Sequence, residues 1–275
     1  MLQGRLVYDV GMHNGEDVAY YLHKNYSVVA IEANPDLVRK AEQQFASSIR
    51  SGRLIILHSA ISDRDNDSVN FFVSKNSIWS SLRSEIAGRE GLQKEVIKVK
   101  TKKLSSIMTE CGMPEYCKID IEGYDIVALK TLAELGTVPR FLSVEAECAG
   151  DLDRLTEEQA LETLTTLRGL GYQKFKLVDE CTLNVLSPAK QFYRKSFTKK
   201  LLEHLGISRT GREPINRKHH YEFWGGSSGP FGEELEGEWL DYDMAKSTFL
   251  FHRRSYFSLP IATNYGFWCD WHVST

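Results

Sequence analysis

The chain has 275 residues, 42% of them apolar and 26% charged, with a formal charge of -3 at pH 7; that length fits one large α/β domain with excursions, or a domain with a small appendage. These are the fractions of a soluble globular protein: no run approaches the roughly 20 apolar residues that span a bilayer, and the balance lacks the basic footprint of general nucleic-acid binding. Five cysteines without a C-x-x-C pair suit reduced thiols better than a disulfide framework or a zinc site, and with no leader ahead of the first apolar segment the expected location is the cytoplasm.

In chain order, runs of Val, Ile and Leu predict a strand over 5–10, a helix over 14–23, a strand over 27–32, a helix over 35–48 entered through Asn34-Pro35, and a strand over 53–59. This alternation implies parallel strands joined by crossover helices. The rhythm breaks over 63–103. There, residues 68–73 and 95–104 read as further strands, and 74–91, rich in Ser, Gly and charge, as a mobile loop. It resumes with strands over 116–121, 140–145 and 173–178 and helices over 124–134 and 156–170, giving six core strands. The last hundred residues are less regular, with a helix around 199–205, a basic stretch over 190–220, a Gly/Ser loop over 225–232 and an aromatic-rich tail. The expected organisation is a core over 1–188 and an extension over 189–275 that either closes the sheet or caps an acceptor site.

Chemistry enters at Asp9-Val10-Gly11-Met12-His13-Asn14-Gly15, which leaves a strand and enters a helix. Glycine lets backbone approach a ligand closely, and a helix start offers free N–H groups. Met12 and His13 stand where the dinucleotide fingerprint has its middle glycine, so a pyrophosphate cradle fits less well than a smaller group. Gly11, His13 and Gly15 are the candidate contacts; a lone histidine beside a helix start is otherwise a packing or capping residue. Glu32 ends the second strand, where an acid accepts hydrogen bonds from both ribose hydroxyls. The combination favours an adenosine-containing cofactor over Glu32 as a mere surface residue.

Four segments, 9–15, 30–35, 59–63 and Lys118-Ile119-Asp120-Ile121-Glu122-Gly123, together resemble the FkbM family of S-adenosylmethionine (SAM)-dependent methyltransferases over residues 5–147. The Gly/Ser loop at 225–232 also looks like a segment of some members. The resemblance implies a Rossmann-like class I methyltransferase fold, a doubly wound, mostly parallel α/β sheet with an excursion after the third strand and an irregular C-terminal extension. It implies SAM as donor and a hydroxyl acceptor on a sugar, glycan or natural product. By the class I pattern Asp9 and Gly11 hold the methionyl portion, Glu32 the ribose, Ala33 and Asn34 flank the adenine, and Ile61, Ser62 and Asp63 reach its edge. Members commonly carry Ala and Asn where this chain has Met12 and His13, and Thr or Ser near the position of Asp17.

Strand alternation puts Lys118 and Asp120 on one side, with Glu122 at the turn beyond. Asp120, Glu122 and Glu145 are the catalytic candidates, and Glu147 stands nearby. Two chemistries stay open: a buried acid that takes the acceptor proton, or paired acids holding a divalent metal that lowers the hydroxyl's pKa. Alternatively, Glu122 simply favours the following helix start and Asp120 bonds locally. The 74–91 segment would serve as a lid bringing Ser77, Trp79 and Ser80 to the acceptor. Trp224, Phe231, Trp239 and Trp268, with the basic stretch, suit a carbohydrate or acidic glycan. Competing readings are an NAD(P)-dependent oxidoreductase and a catalytically silent SAM-fold binding module.

Overall fold

The computed structural model describes residues 5–88, 91–147, 155–187, 212–224, 226–257 and 268–275. Its first half alternates β1 (Leu6–Val10), α1 (Glu16–His23), β2 (Ser27–Glu32), α2 (Pro35–Gln44), α3 (Ala46–Arg50) and β3 (Leu54–His58). The excursion contributes β4 (Ala60–Ile61), β5 (Ser68–Ser74), a 3-10 turn at Ser77–Trp79, α4 (Ser84–Ala87) and β6 (Gln93–Lys102). Then come α5 (Leu104–Cys111), β7 (Tyr116–Ile119), α6 (Asp125–Leu132), β8 (Phe141–Glu145), α7 (Glu157–Ala160), α8 (Glu162–Gly169), β9 (Lys174–Asp179) and β10 (Asn184–Val185). Helices Glu213–His219 and Tyr242–Phe257 precede the last strand, β11 (Cys269–Ser274).

The main sheet has eight strands in the order β10-β9-β11-β8-β7-β1-β2-β3, the doubly wound, Rossmann-like arrangement expected. β1 and β2 are buried almost throughout, as strands covered by helices on both faces must be. The period of two sorts their side chains. Val7, Val28, Ala30 and Tyr116 join Tyr20, Tyr21 and Phe231 on one face; Tyr8, Val10, Val29 and Ile31 join Leu129, Leu164, Phe249 and Trp271 on the other.

β11 adds a strand to the six read from the sequence. It runs antiparallel between β8 and β9, with Trp271 opposite both Val144 and Leu177. The tail therefore supplies an interior strand of the main sheet. The helix expected over 35–48 parts at Phe45 (φ -104, ψ 19), and that over 156–170 parts at Leu161 after a Thr156–Gln159 capping box. The excursion forms a three-stranded sheet, β4-β6-β5. The helix expected near 199–205, the boundary at 188/189 and most of the basic stretch lie outside the described residues. Cys111 and Cys117 are free thiols, and Cys148 is not among the described residues. Among those residues, no helix is long and apolar enough to cross a membrane.

Candidate functional site

The turn after β1 is fixed by a contact only glycine allows. Gly11 has φ +87, and a Cβ added there would fall 1.8 Å from the Asp120 carbonyl oxygen, so this turn lies directly against the chain leaving β7. The Gly11 and Met12 N–H groups both donate to the Ile31 carbonyl, tying the turn to the end of β2. Gly15 serves packing: at φ +80 its missing Cβ makes room for the Phe45 ring, 2.5 Å from where that atom would sit.

Those contacts place Glu32 beside the turn. Its carboxylate is buried and accepts one hydrogen bond on each oxygen, from His13 N–H at 2.9 Å and Asn34 N–H at 2.7 Å. A carboxylate has about four acceptor positions, so each oxygen keeps capacity for a ligand hydroxyl. Burial raises the Glu32 pKa, against those two donors. The His13 ring reaches Ser77 Oγ through Nε2 at 2.8 Å and Glu16 through Nδ1 at 3.2 Å, joining the excursion to the glycine turn.

Behind the turn lies a buried charge network. Asp9 and Lys118 are register partners on β1 and β7, so their side chains share a face, and α1 brings Asp17 to the same point. Lys118 Nζ lies 3.4 Å from Asp9, 3.6 Å from Asp17 and 3.4 Å from Asp120. Burial opposes the Lys118 ammonium, but Asp9, Asp120 and Asp17 together raise its pKa. Burial pushes Asp9 up to about 7 despite Lys118, and Asp17 is raised likewise. Asp17 Oδ2 accepts from Ser228 N–H at 3.0 Å, fastening the Gly/Ser loop onto α1.

A cavity of about 600 Å³ runs along the carboxyl edge of the sheet, the edge where doubly wound folds bind ligands. Sheet order gives its layout. At β2 and β3 it is walled by Glu32, Ala33, Leu37, Ile61 and Phe71; next come Gly11 and His13, then Asp120 and Glu122, then Glu145, Asp270 and Glu180. With strands about 4.8 Å apart, Glu32 and Asp270 are separated by four spacings, roughly 19 Å. One end is thus apolar around a single acid, while the other gathers carboxylates. Burial and neighbouring acids raise Glu145 and Glu180 well above the carboxylate range and Asp270 to about 7.

The cavity brings together Gly11, His13, Glu32, Ala33, Ile61, Asp120, Glu122 and Glu145, along with Ser77, Trp79, Ser80 and Trp268. It does not bring Asp9, Gly15, Asn34, Ser62 or Asp63 to its wall. Asp9 lies beneath the wall on Lys118. The Asn34 side chain is spent capping α2, accepting from Asp36 N–H at 2.9 Å. Ser62 Oγ donates to the exposed Asp63 at 3.1 Å. Glu147 is buried against Arg253, and Phe231 and Trp239 pack in the cluster around α1. Wall residues beyond the named candidates are Asp17, Glu180, Arg212, Ser227, Ser228 and Asp270. The Gly/Ser loop pointed to Ser227 and Ser228, the basic stretch to Arg212 and the departure from the family pattern to Asp17, whereas nothing pointed to Glu180 or Asp270. Arg212 donates to the carbonyls of Cys181, Glu180 and Trp224, which secures the chain returning to the cavity. Among the described residues, no three His, Cys, Asp or Glu side chains are grouped to hold a metal ion.

A family model described as the Methyltransferase FkbM domain matches residues 9–174, well over half of the chain. No curated protein matches it. Among solved structures, a SAM-dependent methyltransferase from Thiobacillus denitrificans with S-adenosyl-L-homocysteine is 12% identical, with 100% of this chain and 85% of that one covered and a TM-score of 0.38. Its counterpart from Geobacter sulfurreducens is 10% identical over 100% and 84% at 0.37. Phosphoethanolamine N-methyltransferase 2 from Haemonchus contortus, with S-adenosyl-L-methionine, is 10% identical over 100% and 49% at 0.40.

Proposed function

The chain belongs to the methyltransferase FkbM domain family, and on that premise we propose that it moves a methyl group from SAM to a hydroxyl of a sugar, glycan or natural-product acceptor. The observation that carries this reading is the layout of one cavity: a ribose-competent Glu32 beside the Gly11 turn at one end, and acids able to take a proton at the other. The chain's residues fit the donor. Glu32 would hold the ribose diol, Leu37, Ile61 and Phe71 the adenine, and Gly11, Asp17 and Lys118 the methionyl end.

When bound, SAM supplies an already activated methyl on a sulfonium, so the protein's work is alignment, exclusion of water and disposal of one proton. The residues at the far end of the cavity would hold the acceptor hydroxyl in line with that methyl, and its proton would pass to one of their carboxylates. Asp270, at about 7, lies where a general base works best; Glu145 stands opposite it in register. Asp120, exposed at the junction of the two halves, is placed to orient the acceptor. His13 and Ser77 close the excursion over the cofactor half.

Isothermal titration with SAM and, separately, NADH tests the donor. Saturable binding of SAM and none of NADH is the expected result. Binding of NADH alone would return the cavity to the oxidoreductase reading, and SAM binding with no methyl transfer to any of a broad hydroxyl panel would favour a silent binding module.

A further inference from the structure

The excursion after β3 is pinned at two places, and each pin holds a different half of the cavity. At the first, Ser77 Oγ meets His13 Nε2 at 2.8 Å, while His13 N–H donates to the Glu32 carboxylate at 2.9 Å. At the second, Ser81 Oγ donates to the Glu122 carbonyl at 2.7 Å. The stretch between them is stiff. Ser77–Trp79 is a 3-10 turn in which Trp79 N–H donates to the Asn76 carbonyl and Ser80 N–H to the Ser77 carbonyl. Ser81 then exchanges two backbone hydrogen bonds with Phe72 of β5, at 2.8 and 3.0 Å. Ser77, Trp79, Ser80 and Leu82 line the cavity, so a ligand lying in it touches this segment directly.

The second pin acts on a turn that needs holding. Glu122 has φ +51 and Gly123 φ +90; a non-glycine residue in the left-handed region is uncommon and persists where surrounding contacts fix it. The peptide joining the two is gripped from both sides. Its N–H donates to Asp125 Oδ2 at 3.0 Å, at the start of α6, and its carbonyl accepts from Ser81. Where a Cβ on Gly123 would sit, Ile86 Cδ1 is 2.6 Å away, so the excursion also seats on this turn by packing. Held in this way, Glu122 lines the acid half of the cavity, and after burial it does most to raise Glu145.

We propose that Ser81 is the positioning residue for Glu122, and that a cofactor seated on Glu32 and His13 draws the segment Ser77–Ser81 down and thereby assembles the acceptor half of the cavity. This rests on the reading of the cavity as a methyl-transfer site and adds an order to it: donor before acceptor. A ligand shifts such an equilibrium only through contacts it makes better in one state, and the cavity-facing side chains of the segment supply them.

Hydrogen exchange of the full chain, with and without saturating S-adenosylhomocysteine, tests this before any acceptor is known. The Ile121 and Gly123 N–H groups, both donated to Asp125, report on the far turn. The expected result is slower exchange at 76–82 and at 121–124 together, by at least about tenfold, within the usual range of coupling between two sites. Ser77→Ala should weaken the change at both. Ser81→Ala should keep it at 76–80 and lose it at 121–124 with S-adenosylhomocysteine still bound, and Ser81→Thr, which keeps the hydroxyl, should restore it. Ile86→Ala loosens the same seat and is the second variant should Ser81→Ala fail to fold. Slowing confined to 76–82 in the parent, slowing at 121–124 that survives Ser81→Ala, or loss of S-adenosylhomocysteine binding in that variant would overturn the proposal. Failure of S-adenosylhomocysteine to bind the parent would instead sink the methyltransferase reading, which keeps the two failures apart.

Discussion

Replacing Glu32 by Gln tests the cofactor assignment with a magnitude that can be worked out. Each Glu32 oxygen accepts one backbone N–H, from His13 and from Asn34. A glutamine amide keeps one acceptor oxygen, and whichever way it turns, its NH2 group faces one of those N–H donors. Leaving a buried donor unmatched costs about 1–3 kcal/mol, offset in part because the buried charge is gone. Toward the ligand, one of two charge-assisted hydrogen bonds to ribose hydroxyls is lost, about 1.5–3 kcal/mol, or roughly 10- to 150-fold in affinity. Titration with SAM gives the affinity, and urea unfolding gives the stability. A variant that unfolds cooperatively and binds SAM within about threefold of the parent would refute the reasoning, because no ribose could then depend on this carboxylate.

Gly11→Ala combines a left-handed φ with a 1.8 Å clash against backbone and should cost more than about 3 kcal/mol, with SAM binding lost; stability within 1 kcal/mol of the parent by urea unfolding would contradict the close approach of the two turns. Lys118→Met strands Asp9 and Asp17 without their cation and should destabilise by about 3–5 kcal/mol, with much of that recovered in the Lys118→Met, Asp9→Asn, Asp17→Asn triple variant; no recovery in the urea midpoint would mean that the lysine acts through packing alone. Burial holds Asp9 and Asp270 up to about 7 and Asp125 to about 6, from an ordinary 3.8. Between those values the folded state binds more protons than the unfolded one, so stability should fall as pH rises from about 4 to 7, by up to about 1.4 kcal/mol per pH unit for each group. A urea midpoint that is flat or rises over that window would show that these acids are not held up. Arg253→Met leaves Glu147 buried alone and should cost about 3–5 kcal/mol while SAM affinity stays unchanged; a weakened titration would place the pair in the site.

What could be read from the sequence was what local pattern determines. The Val/Ile/Leu runs of β1 and β2, the glycine turn and the acid at position 32 lie within one βαβ unit, where spacing translates directly into position. Asn34 shows how a local signal can carry two readings: Asn-Pro at a helix start is a cap, and the side chain that caps α2 is no longer available to an adenine. The helix parts at Phe45, whose ring packs under Gly15, a tertiary contact that periodicity does not record. Asp270 and Glu180 were not legible because they reach the cavity only through strand order, and β11 enters the sheet out of sequence. Its residues, Cys-Asp-Trp-His-Val-Ser, read as part of an aromatic tail until β8 and β9 are seen on either side.

That insertion has a kinetic consequence. β8 and β9 cannot settle as neighbours: a slot one strand wide must stay open, or reopen, until the chain from Glu180 to Trp268 has been traversed and Trp271 can drop between Val144 and Leu177. Closing so long a loop is slow relative to forming the β1–α1–β2 unit, so a half-sheet able to present Glu32 should form early, with the Asp270 edge arriving last. Refolding should therefore pass through a stage in which two unpaired strand edges face each other, and for that interval the protein is most exposed to pairing with another copy of itself.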